Sequence, residues 1–243
     1  VITGGVGVLG YATAKKFLNE GSEIVLIDIK NEKDIKLNMQ GMSYFKCDIT
    51  NFDQIKSTFD KIIAKYGGID ILISNAGLAI HSSLAKLSKK DLDKSFDVNL
   101  FGHHNFVKYG VNILKNQDIG GTVLFNISKQ AVNPAPNFGA YGMSKATLLY
   151  LMKQYAVEFG SFGIRFNGIN ADRIKTGLLD DRMIKLRAKS RGISKQNYMK
   201  GNLLNIEVEP DDVADAFYFL AMSKKTTACV LTIDGGKIEA SLR

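Results

Sequence analysis

The chain is 243 residues long, 45% hydrophobic and formally charged +8, which suits one large α/β domain with a well-buried sheet and leaves little room for a second. No apolar run nears the ~20 residues of a membrane span and no signal-peptide pattern precedes the first strand, so a cytoplasmic protein without a membrane partner is expected. The lysines are spread over amphipathic stretches without an aromatic-interleaved basic stripe, and the charge reads as a solvated surface with no nucleic-acid partner.

Val1-Ile2 runs directly into the glycine-rich stretch Thr3-Gly4-Gly5-Val6-Gly7-Val8-Leu9-Gly10, and no initiator Met is present. A buried parallel strand needs about five residues, so the chain is expected to be a fragment that begins inside its first strand. Gly5, Gly7 and Gly10 form a G-x-G-x-x-G set ahead of a helix over residues 12–20. Such glycines let the backbone approach a pyrophosphate resting on the helix N-terminus. The next strand, residues 23–28, ends at Asp28, eighteen positions past Gly10. A carboxylate there can accept hydrogen bonds from an adenosine ribose and would repel a ribose phosphate. NAD is therefore favoured over NADP, with Lys30 two positions on as a partial counterweight.

Further strands are predicted over residues 43–47, 69–74, 122–127, 163–169 and 229–233, separated by helices over 53–66, 91–116, 140–159 and 210–222. Short β-branched runs alternating with amphipathic stretches describe βαβ units. They build an α/β fold: a single Rossmann-type, doubly wound parallel sheet of about seven strands with helices on both faces. Residues 177–205 break the alternation, being basic and polar with Met183, Leu186, Tyr198, Met199, Leu203 and Leu204 at roughly helical spacing. So long an excursion between strand and helix usually covers a site, and it is expected to be a substrate-covering insertion in a single domain spanning 1–243.

Inside the helix over 140–159, Tyr141-Gly142-Met143-Ser144-Lys145 sets a phenol and an ammonium on one face. An ammonium a few ångströms away lowers a tyrosine from pH ~10 by roughly 1–3 units, which makes Tyr141 a usable general acid/base. Lys129, Gln130, Asn137, Asp172 and Arg173 follow the strands that carry the site and are candidates to face a small-molecule substrate. Lys129, directly after Ser128, points to an anionic or polyhydroxylated one, since an apolar substrate would leave a desolvated ammonium unpaired. His81, His103 and His104 lack ligand spacing and read as surface or helix residues, and Cys47 and Cys229 show no CxxC or metal-type spacing. No metal and no structural disulfide are expected.

Together these residues resemble the short-chain dehydrogenase/reductase family over essentially the whole chain. The resemblance rests on Thr3-Gly4 to Gly10, Asp48 after the third strand, Asn75-Ala76-Gly77 after the fourth, and Asn99 in Asp97-Val98-Asn99. It rests further on Ser128, Tyr141-x-x-x-Lys145 and Asp234-Gly235-Gly236. It implies a nicotinamide-dependent oxidoreductase with a catalytic tetrad of Asn99, Ser128, Tyr141 and Lys145. Thr3, Gly4, Gly5, Gly7, Val8, Leu9, Gly10, Asp28, Asp48, Ile49, Asn75, Ala76, Gly77 and Thr176 would join Asn99, Tyr141 and Lys145 around the cofactor. A homodimer or homotetramer is implied as well. Two departures stand out: Val8 occupies the position of the family's middle glycine, with Gly7 one place early, and the Pro-Gly after the sixth strand is replaced in Asn170-Ala171-Asp172-Arg173-Ile174-Lys175-Thr176.

That last stretch, with the Asp-Gly-Gly ending, is similar to the C-terminal dehydrogenase half of bifunctional aldolase/short-chain dehydrogenase fusions associated with deoxysugar breakdown and lactaldehyde oxidation. The similarity implies a small sugar-derived hydroxyl compound or hydroxyaldehyde as substrate and an aldolase-like domain upstream. Two other readings stay open. One is a dinucleotide-binding sensor or assembly module without turnover, for which the altered Val8 and Ala171-Asp172 positions speak. The other is salt-sensitive nucleic-acid binding driven by the charge.

Overall fold

The computed structural model describes residues 1–237. In chain order its elements are β1 (Ile2–Thr3), α1 (Val8–Asn19), β2 (Ile24–Asp28), β3 (Met42–Lys46), α2 (Phe52–Tyr66), β4 (Ile71–Ser74), α3 (Lys89–Phe96), α4 (His103–Gln117), β5 (Gly121–Asn126) and α5 (Gly139–Phe159). There follow β6 (Ile164–Ala171), α6 (Asp181–Ser190), α7 (Lys195–Met199), α8 (Pro210–Met222) and β7 (Val230–Ile233). The strands pair in parallel in the order β3-β2-β1-β4-β5-β6-β7. This is the seven-stranded, Rossmann-type sheet that the alternation predicts.

Side chains alternate across each strand, so both faces of the sheet are apolar. Val25, Ile27, Val123 and Phe125 pack with Ile55, Phe59, Phe106, Val111, Leu148 and Met152 of α2, α4 and α5. Ile24, Leu26 and Leu124, the residues between, pack with Ala14 and Phe17 of α1 and Val213, Phe217 and Leu220 of α8. The insertion forms a third, separate cluster from Leu179, Ile184, Ala188, Tyr198 and Met199.

Predicted boundaries hold within one or two residues for most elements, and α8 is matched at both ends. Two differ for a physical reason. α1 begins at Val8 rather than residue 12, because the glycine run already turns into the helix with Gly7 in the extended N-cap position. The helix predicted over 91–116 is α3 and α4 joined by a π-helical turn, Asp97–Gly102. Such single wide turns are rare and cluster at functional sites, and this one carries the fully buried Asn99.

Arg165 on β6 fastens α8 to the sheet. Its guanidinium donates to the carbonyls of Leu220 (3.0 Å), Ser223 (2.8 Å) and Ala221 (2.6 Å), the last acceptors of that helix. A cation at a helix C-terminus satisfies orphan carbonyls and complements the helix dipole. Arg165→Met should therefore lower unfolding free energy by about 2–3 kcal/mol, the range of one or two charge-assisted hydrogen bonds. Urea denaturation checks this, with a lower midpoint and an unaltered slope expected.

Candidate active site

The strand order reverses between β1 and β4, and loops leaving their carboxyl ends diverge to opposite faces, which opens a crevice. A cavity of about 330 Å³ lies there, walled by the loops after β1, β4, β5 and β6. Gly4, Gly7, Val8, Leu9 and Gly10 line one end, with Asp28 beside them. Gly4 has φ of 61°, and a Cβ on Gly10 would sit 2.2 Å from the Gly4 carbonyl oxygen, so the loop closes only on glycine at these positions. Gly7 gives α1 no side-chain cap, which leaves the first amides of the helix for an anion. A diphosphate fits this cradle. Val8, the departure from the pattern, is 49% exposed and meets the cavity rather than the core.

The floor of the crevice is stitched by side chains. The Thr3 hydroxyl accepts from the amides of Asn75 (2.9 Å) and Ala76 (3.1 Å), Asn75 Nδ2 donates back to the Thr3 carbonyl, and Asn126 Nδ2 donates to Asn75 Oδ1. Thr3 and Gly5 thus support the site from outside the cavity lining, whereas Asn75, Ala76 and Gly77 line it. Asp48 and Ile49 lie outside the lining as well. Asp48 Oδ1 accepts from the Thr50 amide and hydroxyl, and Ile49 is buried.

Ser128, after β5, and Tyr141, in the first turn of α5, face the same cavity, and the Ser128 hydroxyl favours the ionised form of the phenol. Lys145 lies one turn below Tyr141, buried, with Nζ donating to the Asn126 carbonyl at 2.7 Å and 5.9 Å from the centre of the Tyr141 ring. Asn99 is bound on all sides: Oδ1 accepts from the Leu78 amide, and Nδ2 donates to the Leu78 carbonyl and the hydroxyls of Ser95 and Ser144. It joins α3, α5 and the loop after β4 just behind Gly77.

Of the residues expected to face substrate, Gln130, Asp172 and Arg173 line the cavity with Lys129, and Thr176 does too. Lys129 is 8% exposed and pairs with Asp172 at 2.7 Å, so its ammonium is neither solvated nor unpaired, and the inference drawn from it about the substrate's charge falls. Asn137 does not line the cavity. It is exposed, in a left-handed turn at φ 65°, and its neighbour Phe138 lines the wall instead. Phe138, three positions before Tyr141 on the start of one helix, was legible by spacing alone.

His103 is a helix residue as expected, the first of α4, but it is fully buried. Nε2 lies 2.8 Å from the Ala76 carbonyl oxygen and Nδ1 lies 2.7 Å from the Ser74 hydroxyl. A carbonyl can only accept, so Nε2 carries the proton and Nδ1 accepts from Ser74. Burial, then the charge of Lys145, holds its pKa well below the ordinary 6.5. A neutral imidazole thus anchors the loop that floors the crevice, and nothing in the sequence around it marked that role. His81 is exposed and His104 partly buried, as surface or helix residues would be.

A family model described as enoyl-(acyl carrier protein) reductase matches residues 6–237. The uncharacterized oxidoreductase YuxG of Bacillus subtilis is 32% identical over 97% of this chain, which spans only 37% of that relative's length. Among solved structures, the ligand-free aldohexose dehydrogenase of Thermoplasma acidophilum superposes with a TM-score of 0.85 at 27% identity, covering 100% of this chain and 93% of that one. ElxO, solved with NADP bound, superposes with a TM-score of 0.87 at 26% identity, covering 98% and 97%. The chain belongs to the short-chain dehydrogenase/reductase family.

As in that family's pattern, the serine, tyrosine and lysine converge, but the electrostatics differ from the expectation drawn from spacing. Burial pushes the Tyr141 phenol up, and the Ser128 hydroxyl pulls it back. Burial lowers Lys145 to about 7. A lysine whose folded pKa lies below its ordinary 10.5 binds fewer protons folded than unfolded. Its cost to the fold is full below about pH 7 and fades as pH rises towards 10.5. Lys145→Met should therefore be more stable than wild type at neutral pH, with the difference shrinking above it. Denaturant midpoints from pH 6 to ~10 check this, and a constant difference would contradict the burial of a charged lysine.

Proposed function

We propose that the protein is an NAD-dependent oxidoreductase interconverting a small polar hydroxyl compound or hydroxyaldehyde with its carbonyl or acid. The observation that carries the reading is one cavity that holds the open N-terminus of α1 at one end and the Ser128–Tyr141 pair at the other. A bound nicotinamide dinucleotide supplies the hydride acceptor. Ser128 hydrogen-bonds the substrate oxygen; in reduction the neutral Tyr141 phenol donates the proton, and in oxidation the same oxygen takes the hydroxyl proton (for an aldehyde, that of its hydrate) once it has ionised against its raised pKa. Lys145 Nζ lies 5.9 Å from the centre of the Tyr141 ring. Thr3 and Asn75 keep the floor of the crevice rigid. The reading of a dinucleotide sensor without turnover draws no support from a site in which serine and tyrosine both face the cavity.

Tyr141→Phe removes only the titrating hydroxyl. Turnover should fall by about 10²–10⁴-fold while cofactor binding persists. Retention of more than about a tenth of the rate would count against the role.

NAD preference rests on Asp28, which lines the cavity at the glycine-loop end and accepts from the amides of Val6 (3.4 Å) and Lys30 (3.3 Å). A carboxylate there favours a free ribose over a phosphorylated one. Since ElxO carries NADP, the two cofactors must be compared directly. Asp28→Ala should narrow the ratio of NAD to NADP affinity, measured by fluorescence titration. A parent protein that already prefers NADP sinks the assignment.

The fusion with an upstream aldolase-like domain is part of the same reading, supported by the 37% coverage of YuxG. The gene sequence upstream of Val1 tests it. A cytoplasmic homodimer or homotetramer is proposed on the family resemblance.

A further inference from the structure

Tyr198 of α7 is 2% exposed and gathers three arginines. Arg173 lies over its ring at 4.5 Å and Arg191 at 5.1 Å, while Arg187 of α6 donates to its hydroxyl at 3.2 Å. Arg173 also donates to the Tyr198 and Gly201 carbonyls and lies 3.5 Å from Asp172. Asp172 is already bound to Lys129 at 2.7 Å. One carboxylate therefore serves two cations, and it is not shared with Arg187. Like charges concentrate here enough to be felt at Lys237, whose ammonium is pushed down by burial and then by Arg173, Lys129 and Arg191.

Arg187 stands apart in its partners. Its guanidinium stacks 4.1 Å from the centre of the Phe138 ring, and Nη2 lies 3.1 Å from His81 Nε2. Partial desolvation by its neighbours, exposed though the residue is as a whole, and then Arg187 itself lower the His81 pKa, so the imidazole is a neutral neighbour near pH 7. Tyr198, Phe138 and His81 are all uncharged, and among the described residues no carboxylate pairs with Arg187. Yet Arg187 lines the same cavity as Ser128 and Tyr141. Phe138 lies between, its ring 6.1 Å from that of Tyr141, so the two distances put the guanidinium no more than about 10 Å from the catalytic ring.

A half-buried guanidinium with only neutral partners is under-compensated, and its planar fork matches a carboxylate or phosphate with two parallel hydrogen bonds. We propose that Arg187 forms an anion subsite at the end of the cavity away from the glycine loop, and that the substrate is a short hydroxy compound bearing a carboxylate or phosphate. The anion docks on Arg187 beside Phe138, which leaves the hydroxyl-bearing carbon to reach Ser128 and Tyr141. Arg173 and Lys129, tied to Asp172, supply the surrounding positive field rather than direct ligands. This inference rests on the oxidoreductase reading for the fate of the hydroxyl, but not for the binding of the anion.

The test uses three matched three-carbon compounds: glycerol, glycerate and glycerol phosphate. Each is titrated by calorimetry into the protein saturated with NADH, where no alcohol can be oxidised, and each is assayed for turnover with NAD. Glycerate or glycerol phosphate is expected to bind at least tenfold more tightly than glycerol, and the preferred one identifies the anion. In Arg187→Met that preference should fall by about 10–100-fold, the worth of a charge-assisted hydrogen bond. Arg187→Lys should recover part of it, and retained NADH binding shows that both variants are folded. No preference for either anion in the wild-type protein, including no binding at all, or a preference that survives Arg187→Met, overturns the subsite. Arg187-dependent anion binding without any turnover would sink the oxidoreductase reading and leave the subsite standing. Turnover of neutral polyols with no anion preference would do the reverse.

Discussion

The structure hangs on the seam between β1 and β4. There the strand order reverses, and the only covalent connections are far away in sequence, so the two halves of the sheet are held by pairing and by side chains. Thr3, Asn75 and Asn126 form a continuous chain of hydrogen bonds across three strands, and Lys145 joins it from α5 through the Asn126 carbonyl. Thr3 and Lys145 are buried and Asn75 and Asn126 partly so, and an unmet donor or acceptor shut away from water costs ~1–3 kcal/mol. Among the described residues no buried side-chain polar atom lacks a partner. The crevice is therefore a rigid fixture, with geometry set before any ligand arrives.

Much of this was legible in the sequence because it depends on local pattern. The unbroken apolar run Ile24-Val25-Leu26-Ile27 gives a strand buried on both faces, and the glycines at 4 and 10 mark a turn that other residues cannot make. Tyr141 and Lys145 share a helix, so their spacing already places them together. What was missed depends on neighbours brought in by the fold. The π turn around Asn99, the pairing of Lys129 with Asp172 across adjacent strand ends and the burial of His103 have no local signature. The direction of the Tyr141 shift belongs with them, since it is decided by how much solvent the surrounding loops leave.

Charge is unevenly divided along the cavity. The glycine-loop end holds a carboxylate, Asp28, beside the open end of a helix, while the far end holds a group of cations around Tyr198. Between them Tyr141 and Lys145 sit in an environment dry enough to resist the charged form of each. The overall positive charge of the chain is thus more than a solvated surface, because part of it is directed at the site.

The insertion carries its own small cluster of Leu179, Ile184, Ala188, Tyr198 and Met199, separate from the two clusters that clamp the sheet. This independence makes the segment an interchangeable part. Substitutions within it alter what the far wall of the cavity presents while the strands, the glycine loop and the tyrosine keep their places. A change of specificity can then be confined to some thirty residues, because loops carried on a rigid scaffold vary without disturbing it.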